Sequence, residues 1–147
     1  MNSLCNRFFV LLTLTVGFAG APLFAAATSL SATEEIAVRA VVVAQLEALA
    51  DEDADSAFAT ATPSVREAIV EPGRFLAMVR GAYPMVFRPA AVAFLKPVED
   101  AGAVMQMVQL TDNNDKRWLV LFALERQPDA SWRIAGCLVT ENTWHPA

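Results

Sequence analysis

The sequence predicts one α+β domain in which N-terminal helices pack on a curved antiparallel β-meander. Apolar residues recur at helical spacing as far as Pro84, and strand-like apolar segments with interspersed polar residues follow from Met85 onward. The later segments are joined by short polar turns, so successive strands should pair with their neighbours. Helices that precede such a meander pack on one of its faces. A strongly curved sheet then leaves a cone-shaped cavity beneath the helices, and such a cavity is the default place for a ligand.

Residues 1–27 are predicted to form a cleaved signal peptide. Arg7 is the only charged residue there, and an apolar stretch follows it until Pro22 interrupts the pattern. The small residues 25–27 suit a signal peptidase, so we expect cleavage after Ala27 and a periplasmic or secreted domain over residues 28–147. Earlier cleavage, or retention of the segment as a membrane anchor, is the alternative.

The first helix of the domain is predicted from its start signal. Ser31-Ala32-Thr33-Glu34 matches a capping box, in which the serine oxygen accepts from a backbone N–H and the glutamate reaches back. The helix should end near Ala50. The apolar stripe expected to be buried comprises Ile36, Val42, Val43, Leu46 and Leu49.

Three shorter helices should follow. The acidic residues 51–55 suit the start of a helix over residues 54–61, because the helix N-terminus is electropositive. Ser64 is the expected N-cap of the next helix, which should end at Val70. The last helix should end at Tyr83-Pro84, because proline disfavours a helical residue before it. Its apolar face carries Phe75, Met78, Val79 and Ala82.

The strands are predicted from apolar runs between turns. Residues 103–111 and 117–124 are two such runs, separated by the turn residues 112–115. A second turn at residues 127–130 precedes the last strand. Alternation places Trp132, Ile134, Gly136 and Leu138 on one face of that strand and Arg133, Ala135, Cys137 and Val139 on the other.

Composition restricts the partners and the covalent chemistry. The chain has 11 basic and 16 acidic residues, a net charge of −5, and no basic run, which argues against nucleic-acid binding. Loss of Cys5 with the signal peptide would leave Cys137 alone, so no internal disulfide is expected. The fold must then be held together by its apolar core.

Several blocks of the chain resemble a family of exported bacterial proteins known only as a domain of unknown function. The most specific are Phe75–Pro89 and Trp132–Cys137, within a similarity that runs from Gln45 to Leu138. The chain departs from the family pattern at Asn114-Asp115 and at Ala130, where glycine is common, and Phe87 replaces a common tyrosine.

That family is in turn similar to the superfamily of nuclear transport factor 2, ketosteroid isomerase and the polyketide cyclases. The resemblance implies a helix-lined cone and often a homodimer. It implies no particular reaction, because a fold does not fix a function.

Five polar or aromatic residues are candidates for contact with a ligand. An arginine at a cavity mouth could pair bidentately with a carboxylate, and a tyrosine hydroxyl could donate to a carbonyl oxygen. The candidate ligand-binding residues are Tyr83, Arg88, Gln106, Trp132 and Arg133.

No catalytic residue, metal or cofactor is predicted. His145 is the only histidine and lies at the tail, where an exposed position is expected. Cys137 and the methionines at 105 and 107 are expected to be core residues rather than a nucleophile or copper ligands. The 51–55 cluster lacks the glycine and distal glutamate of a calcium loop.

Three functions therefore stay open. The first is an exported, non-catalytic module that binds a small apolar or anionic ligand, or a protein partner. The second is an isomerase or cyclase that uses Tyr83 with a carboxylate, Asp51 or Glu99, as general base. The third is a structural protein whose cone is filled and whose sheet forms a homodimer.

Overall fold

The structure, a computed structural model, describes residues 29–143. The predicted signal peptide and His145 lie outside this range. Four α-helices and a short 3-10 helix at Pro84–Val86 come first. A five-stranded antiparallel sheet follows, and this order of helices and sheet is the one that the sequence predicts. In chain order the helices are α1 (Ala32–Ala50), α2 (Ala54–Ala59), α3 (Pro63–Ile69) and α4 (Pro72–Ala82). The strands are β1 (Ala91–Phe94), β2 (Val98–Asp100), β3 (Ala103–Thr111), β4 (Arg117–Arg126) and β5 (Trp132–Glu141).

The sheet is a meander with one interrupted edge. Its order is β1-β3-β4-β5, and β2 pairs with the other half of β3, so β1 and β2 follow one another along the same edge. The inner face carries a fully buried apolar layer from β3 and β4, on which the helices pack. Within residues 29–143, no helix combines the length and the hydrophobicity needed to cross a bilayer.

The helix starts confirm one predicted cap and correct another. Ser31 and Glu34 form the full capping box at the start of α1. Thr62, not Ser64, caps α3, since its hydroxyl accepts from the Val65 backbone N–H. Pro63 explains the shift, because proline is favoured at the first helical position and the cap then precedes it.

The buried face of α1 also differs from the predicted stripe. Ile36 is 70% exposed, whereas Val38 and Gln45 are buried beside Val42 and Leu49. The helix is apolar around most of its circumference, so its pattern does not select one face. Packing against the sheet selects the buried face of the helix, and this packing places Gln45 in the interior.

A β-bulge changes the predicted faces of β5. Leu124 of β4 pairs with Ile134, but the preceding residue Ala123 pairs with Gly136, so Ala135 is an extra residue. One extra residue reverses the alternation beyond it. The single-face prediction is therefore wrong after Ile134: Cys137 faces inward opposite Phe122, and Leu138 is 62% exposed on the outer face.

Two turns that lack the family's glycine hold left-handed residues. Asp115 has φ 61° and Ala130 has φ 68°, a region that glycine enters without steric cost. The departures noted in the sequence thus fall at positions where the backbone favours glycine.

Candidate functional site

A cavity of about 310 Å³ lies between the helices and the inner face of the sheet. Helices α1, α3 and α4 and strands β4 and β5 supply its walls. Most lining residues are apolar, and among the described residues no charged side chain lines it. Of the lining residues between 29 and 143, only Gln45, Tyr83 and Cys137 carry polar side-chain groups. Met78, which is 51% exposed, places the cavity in contact with the surface.

Helix α4 forms one wall with the face that its sequence predicts. All four residues of the predicted apolar face line the cavity: Phe75, Met78, Val79 and Ala82. Phe75 is buried and stacks at a tilt on Phe58 of α2, with ring centroids 5.6 Å apart. This contact fixes the helix at one end, while Tyr83 ends it at the other.

Tyr83 is the one predicted ligand-binding residue that lines the cavity. It is half-buried directly after α4 and packs against the core. Its hydroxyl makes no hydrogen bond with any residue between 29 and 143. The hydroxyl is thus available to a ligand as donor or acceptor.

Gln45 is a lining residue that the sequence analysis did not single out. It is 6% exposed, and its Nε2 donates to Thr60 Oγ1 over 3.0 Å. The signal was an amide in the otherwise apolar helical run from Val41 to Leu46. A buried amide in such a run needs partners, which is a sign of a polar site in the interior.

Cys137 lines the cavity after the bulge. Burial raises the pKa of its thiol to about 11, because the thiolate would lose solvation. A thiol in this state is a poor nucleophile near neutral pH.

Arg88 lies outside the cavity, in an open groove of about 460 Å³ at the far end of α1. Its Nε and Nη2 donate to the Ala50 carbonyl over 3.0 and 2.9 Å and so cap the C-terminus of α1. Asn113 Nδ2 donates to the Arg88 carbonyl over 3.1 Å. The guanidinium is therefore held by the protein backbone, on the outside of the fold.

The other charged residues of the groove contact neighbouring groove residues. Arg80 forms an ion pair with Glu52 and lies over the Phe87 ring at 4.9 Å. Asp112 accepts from Trp118 Nε1 over 3.0 Å, and this bond is the main cause that lowers the pKa of Asp112.

Gln106 is buried in the sheet rather than placed at the cavity. Its Nε2 donates to the carbonyls of Leu95 and Met107 over 2.7 and 2.9 Å, where the edge between β1 and β2 is interrupted. Its Oε1 is sealed from solvent and has no hydrogen-bond partner in the described part of the chain. The side chain thus holds the chain at the interrupted edge of the sheet.

Trp132 and Arg133 also lie away from the cavity lining. Trp132 is 6% exposed and packs in the core, with the Arg126 guanidinium 5.1 Å from its ring centre. Arg133 is half-buried and donates to the Trp132 carbonyl over 2.8 Å. Of the five predicted residues, the structure therefore places only Tyr83 at the cavity.

The carboxylates of the enzyme hypothesis are not at the cavity. Asp51 is exposed after α1, and Glu99 is exposed on β2 opposite Val104. Met105 and Met107 are half-buried on the outer face of β3, not in the core as expected. Within residues 29–143, no group of three or more His, Cys, Asp or Glu is placed to hold a metal ion.

The helices, the curved sheet and the cavity between them define a fold of the nuclear transport factor 2-like type. Solved structures support this fold at a TM-score of 0.51. An NTF-2-like protein of unknown function from Silicibacter pomeroyi is 17% identical, and the match covers 77% of this chain and 100% of that one. A second, from Shewanella baltica, is 11% identical over 82% and 100%. A ketosteroid isomerase-like protein from Erwinia carotovora is 19% identical over 76% and 98%.

The chain belongs to the family described as a domain of unknown function (DUF4864), whose model matches residues 31–147. No curated protein matches the sequence. Identities below 20% carry the fold alone.

Proposed function

We propose that this protein is an exported, non-catalytic module that binds a small, neutral, largely apolar ligand in the cavity. The observation that carries the proposal is the lining: an apolar wall with few polar groups and no charged side chain among the described residues. Ligand sites in proteins have this composition, and their volumes begin at about 300 Å³. Export is supported by the sequence of residues 1–27 alone.

The absence of charge from the described lining favours a neutral ligand over the anionic one. An anion would lose its hydration in an apolar cavity and gain no cation in return, which costs several kcal/mol. Arg88, the expected anion partner, lies in the groove instead. The isomerase or cyclase alternative needs a carboxylate base at the cavity, and neither Asp51 nor Glu99 lines it.

Binding can be tested with N-phenyl-1-naphthylamine, a neutral probe whose fluorescence rises in apolar sites. We expect saturable binding to the domain over residues 28–147. Cys137→Phe fills the cavity and should weaken binding at least tenfold. Leu138→Phe is the matched control, because the next residue along β5 faces outward and should leave binding unchanged. Lack of saturable binding, or equal binding by both variants, would refute the proposal.

Export has its own test. Residues 1–27 fused to alkaline phosphatase should direct the reporter to the bacterial periplasm, where it becomes active. Replacement of the apolar stretch 8–18 with a polar sequence should abolish that activity. Activity that survives the replacement would contradict export through this segment.

A second candidate function, self-association, is favoured by the outer face of the sheet. Its central part is apolar and comprises Met105, Met107, Leu119, Leu121, Ala123 and Leu138. Arg117 and Glu125 occupy the two ends of this face on β4. A two-fold axis across β4 would bring each Arg117 opposite Glu125 of a second copy, so the face is complementary to itself in charge and in hydrophobicity.

We therefore propose that two copies pack through this outer face. Leu138→Arg should convert the dimer to a monomer in multi-angle light scattering. Ile36→Arg is the matched control, because Ile36 is an equally large exposed apolar residue on α1, away from the sheet face. A wild-type monomer, or a dimer that survives Leu138→Arg, would refute the proposal.

A further inference from the structure

The orientation of the Gln45 amide is fixed by a chain of hydrogen bonds. The Thr60 hydroxyl donates its only proton to the Ala57 carbonyl, over 2.7 Å. Thr60 Oγ1 can then only accept, so the atom of Gln45 that lies 3.0 Å from it must be the amide nitrogen. The carbonyl oxygen Oε1 consequently points away from Thr60.

The Gln45 Oε1 atom is an acceptor that the protein leaves open. Gln45 is 6% exposed, it lines the cavity, and its Oε1 accepts no hydrogen bond from residues 29–143. Gln106 Oε1 is the only side-chain nitrogen or oxygen atom in this range that both lacks a hydrogen-bond partner and is sealed from solvent. Gln45 Oε1 is therefore reached from the cavity. An unpaired buried acceptor is costly, so a donor in the cavity would bind it favourably.

We propose that Gln45 Oε1 is the polar anchor of the cavity and selects neutral apolar ligands that carry a hydrogen-bond donor, a hydroxyl or an amide N–H. This inference rests on the binding function proposed above. Ethers and esters lack the donor, and carboxylates would place a second acceptor against Oε1. The hydroxyl of Tyr83 both donates and accepts, so it does not distinguish these classes.

The test compares 2-naphthol with 2-methylnaphthalene, which has nearly the same shape but no donor, by isothermal titration calorimetry. The measured quantity is the ratio of the two dissociation constants. We expect Gln45→Met to lower the preference for 2-naphthol by about threefold to tenfold relative to wild type, the worth of one neutral hydrogen bond. The comparison between proteins cancels the different hydration of the two probes.

Two matched variants separate the anchor from its surroundings. Tyr83→Phe removes the one hydroxyl that the described residues contribute to the cavity lining. Because that hydroxyl can donate or accept, its loss should leave the preference for 2-naphthol over 2-methoxynaphthalene in place. Thr60→Val releases the amide, which can then rotate and offer its N–H to the cavity. We expect Thr60→Val to shift binding toward 2-methoxynaphthalene, an acceptor without a donor. An unchanged order of probes in Thr60→Val would contradict the orientation argument.

Different results would contradict the role of Gln45 Oε1 and the proposed binding function. If none of the naphthalene probes binds, the proposed binding function is wrong. If the probes bind but Gln45→Met keeps the wild-type preference, only the anchor is wrong. If Gln45→Met does not fold, the affinities of the wild-type protein still test the inference. Binding of 2-methoxynaphthalene as tight as that of 2-naphthol would overturn it.

Discussion

The cavity and the groove differ in how their polar groups are used. The groove is the larger space and carries four charged residues, but those with described partners bind one another or the backbone, as Arg88 does at Ala50. The cavity has few polar groups, yet two of them, Gln45 Oε1 and the Tyr83 hydroxyl, have no hydrogen-bond partner among residues 29–143. The difference teaches that unused hydrogen-bonding capacity, rather than the number of polar residues, distinguishes a candidate ligand site from a structural surface.

The largest expected effect is at the wall of the cavity. Phe122 is 2% exposed on the inner face of β4, so Phe122→Ala should destabilise the domain by about 3–5 kcal/mol through lost burial and an enlarged cavity. Urea unfolding gives the free energy directly. Leu121→Ala, at the neighbouring half-buried residue of the outer face, should cost clearly less. Equal losses would mean that the two faces of the sheet contribute alike.

The groove should yield a smaller effect on stability and none on binding. Arg88→Ala removes two hydrogen bonds from the C-terminus of α1, and we expect a loss of about 1 kcal/mol. Arg88→Lys keeps the positive charge but cannot form both hydrogen bonds to the Ala50 carbonyl. We expect this variant to recover only part of the stability that Arg88→Ala loses. Affinity for N-phenyl-1-naphthylamine should equal that of wild type in both variants.

Benzoate tests the anion-binding alternative for the same residue. Since the Arg88 guanidinium already donates twice to Ala50, benzoate should raise the melting temperature of wild type and of Arg88→Ala by the same small amount. Stabilisation by benzoate that requires Arg88 would move the ligand site from the cavity to the groove.

Local patterns in the sequence predicted the order of elements and the cavity-facing side of α4. The capping box at Ser31 and the proline after Tyr83 specify helix ends through neighbouring residues alone. The bulge at Ala135 has no such local cause, because it depends on pairing with β4. The sequence did not predict this bulge, and its one extra residue places Cys137 on the same face of β5 as Ile134 instead of the opposite face.

The candidate site was less predictable for the same reason. Tyr83 lines the cavity because it ends a helix whose apolar face is readable. Arg88 and Gln106 find their partners, Ala50 and Leu95, through tertiary contacts that sequence spacing does not report. Gln45 faces inward because the sheet selects one side of a helix that is apolar nearly all round.

A stabilising change far from both regions should separate stability from binding. Ala130 has φ 68°, and Ala130→Gly removes the strain of a Cβ in a left-handed turn. We expect a gain of about 1 kcal/mol, reduced by the extra freedom of glycine in the unfolded chain, and an unchanged affinity for N-phenyl-1-naphthylamine. Ala90→Gly, at a position whose φ is not positive, should instead destabilise. If the more stable Ala130→Gly also bound the probe more tightly, affinity would follow stability rather than the open polar atoms.

The smallest expected effects are on the pH dependence of the free energy of unfolding, where the cavity should contribute at alkaline pH and the groove at acidic pH. Burial raises the pKa of Cys137 in the cavity from 9.0 to about 11, so its contribution to stability is full below pH 9 and is lost as the pH rises toward 11. The Trp118 hydrogen bond lowers the pKa of Asp112 in the groove, so its contribution is full above the ordinary value of 3.8 and is lost as the pH falls through the lowered one. In urea titrations across pH, Cys137→Ser should flatten only the alkaline slope and Asp112→Asn only the acidic slope. The pKa values of Asp53 and Asp129 are also lowered, by hydrogen bonds from Ser56 and Ser131, so part of the acidic slope should remain in Asp112→Asn. An acidic slope that Asp112→Asn leaves unchanged would assign the whole acid response to such carboxylates outside the groove.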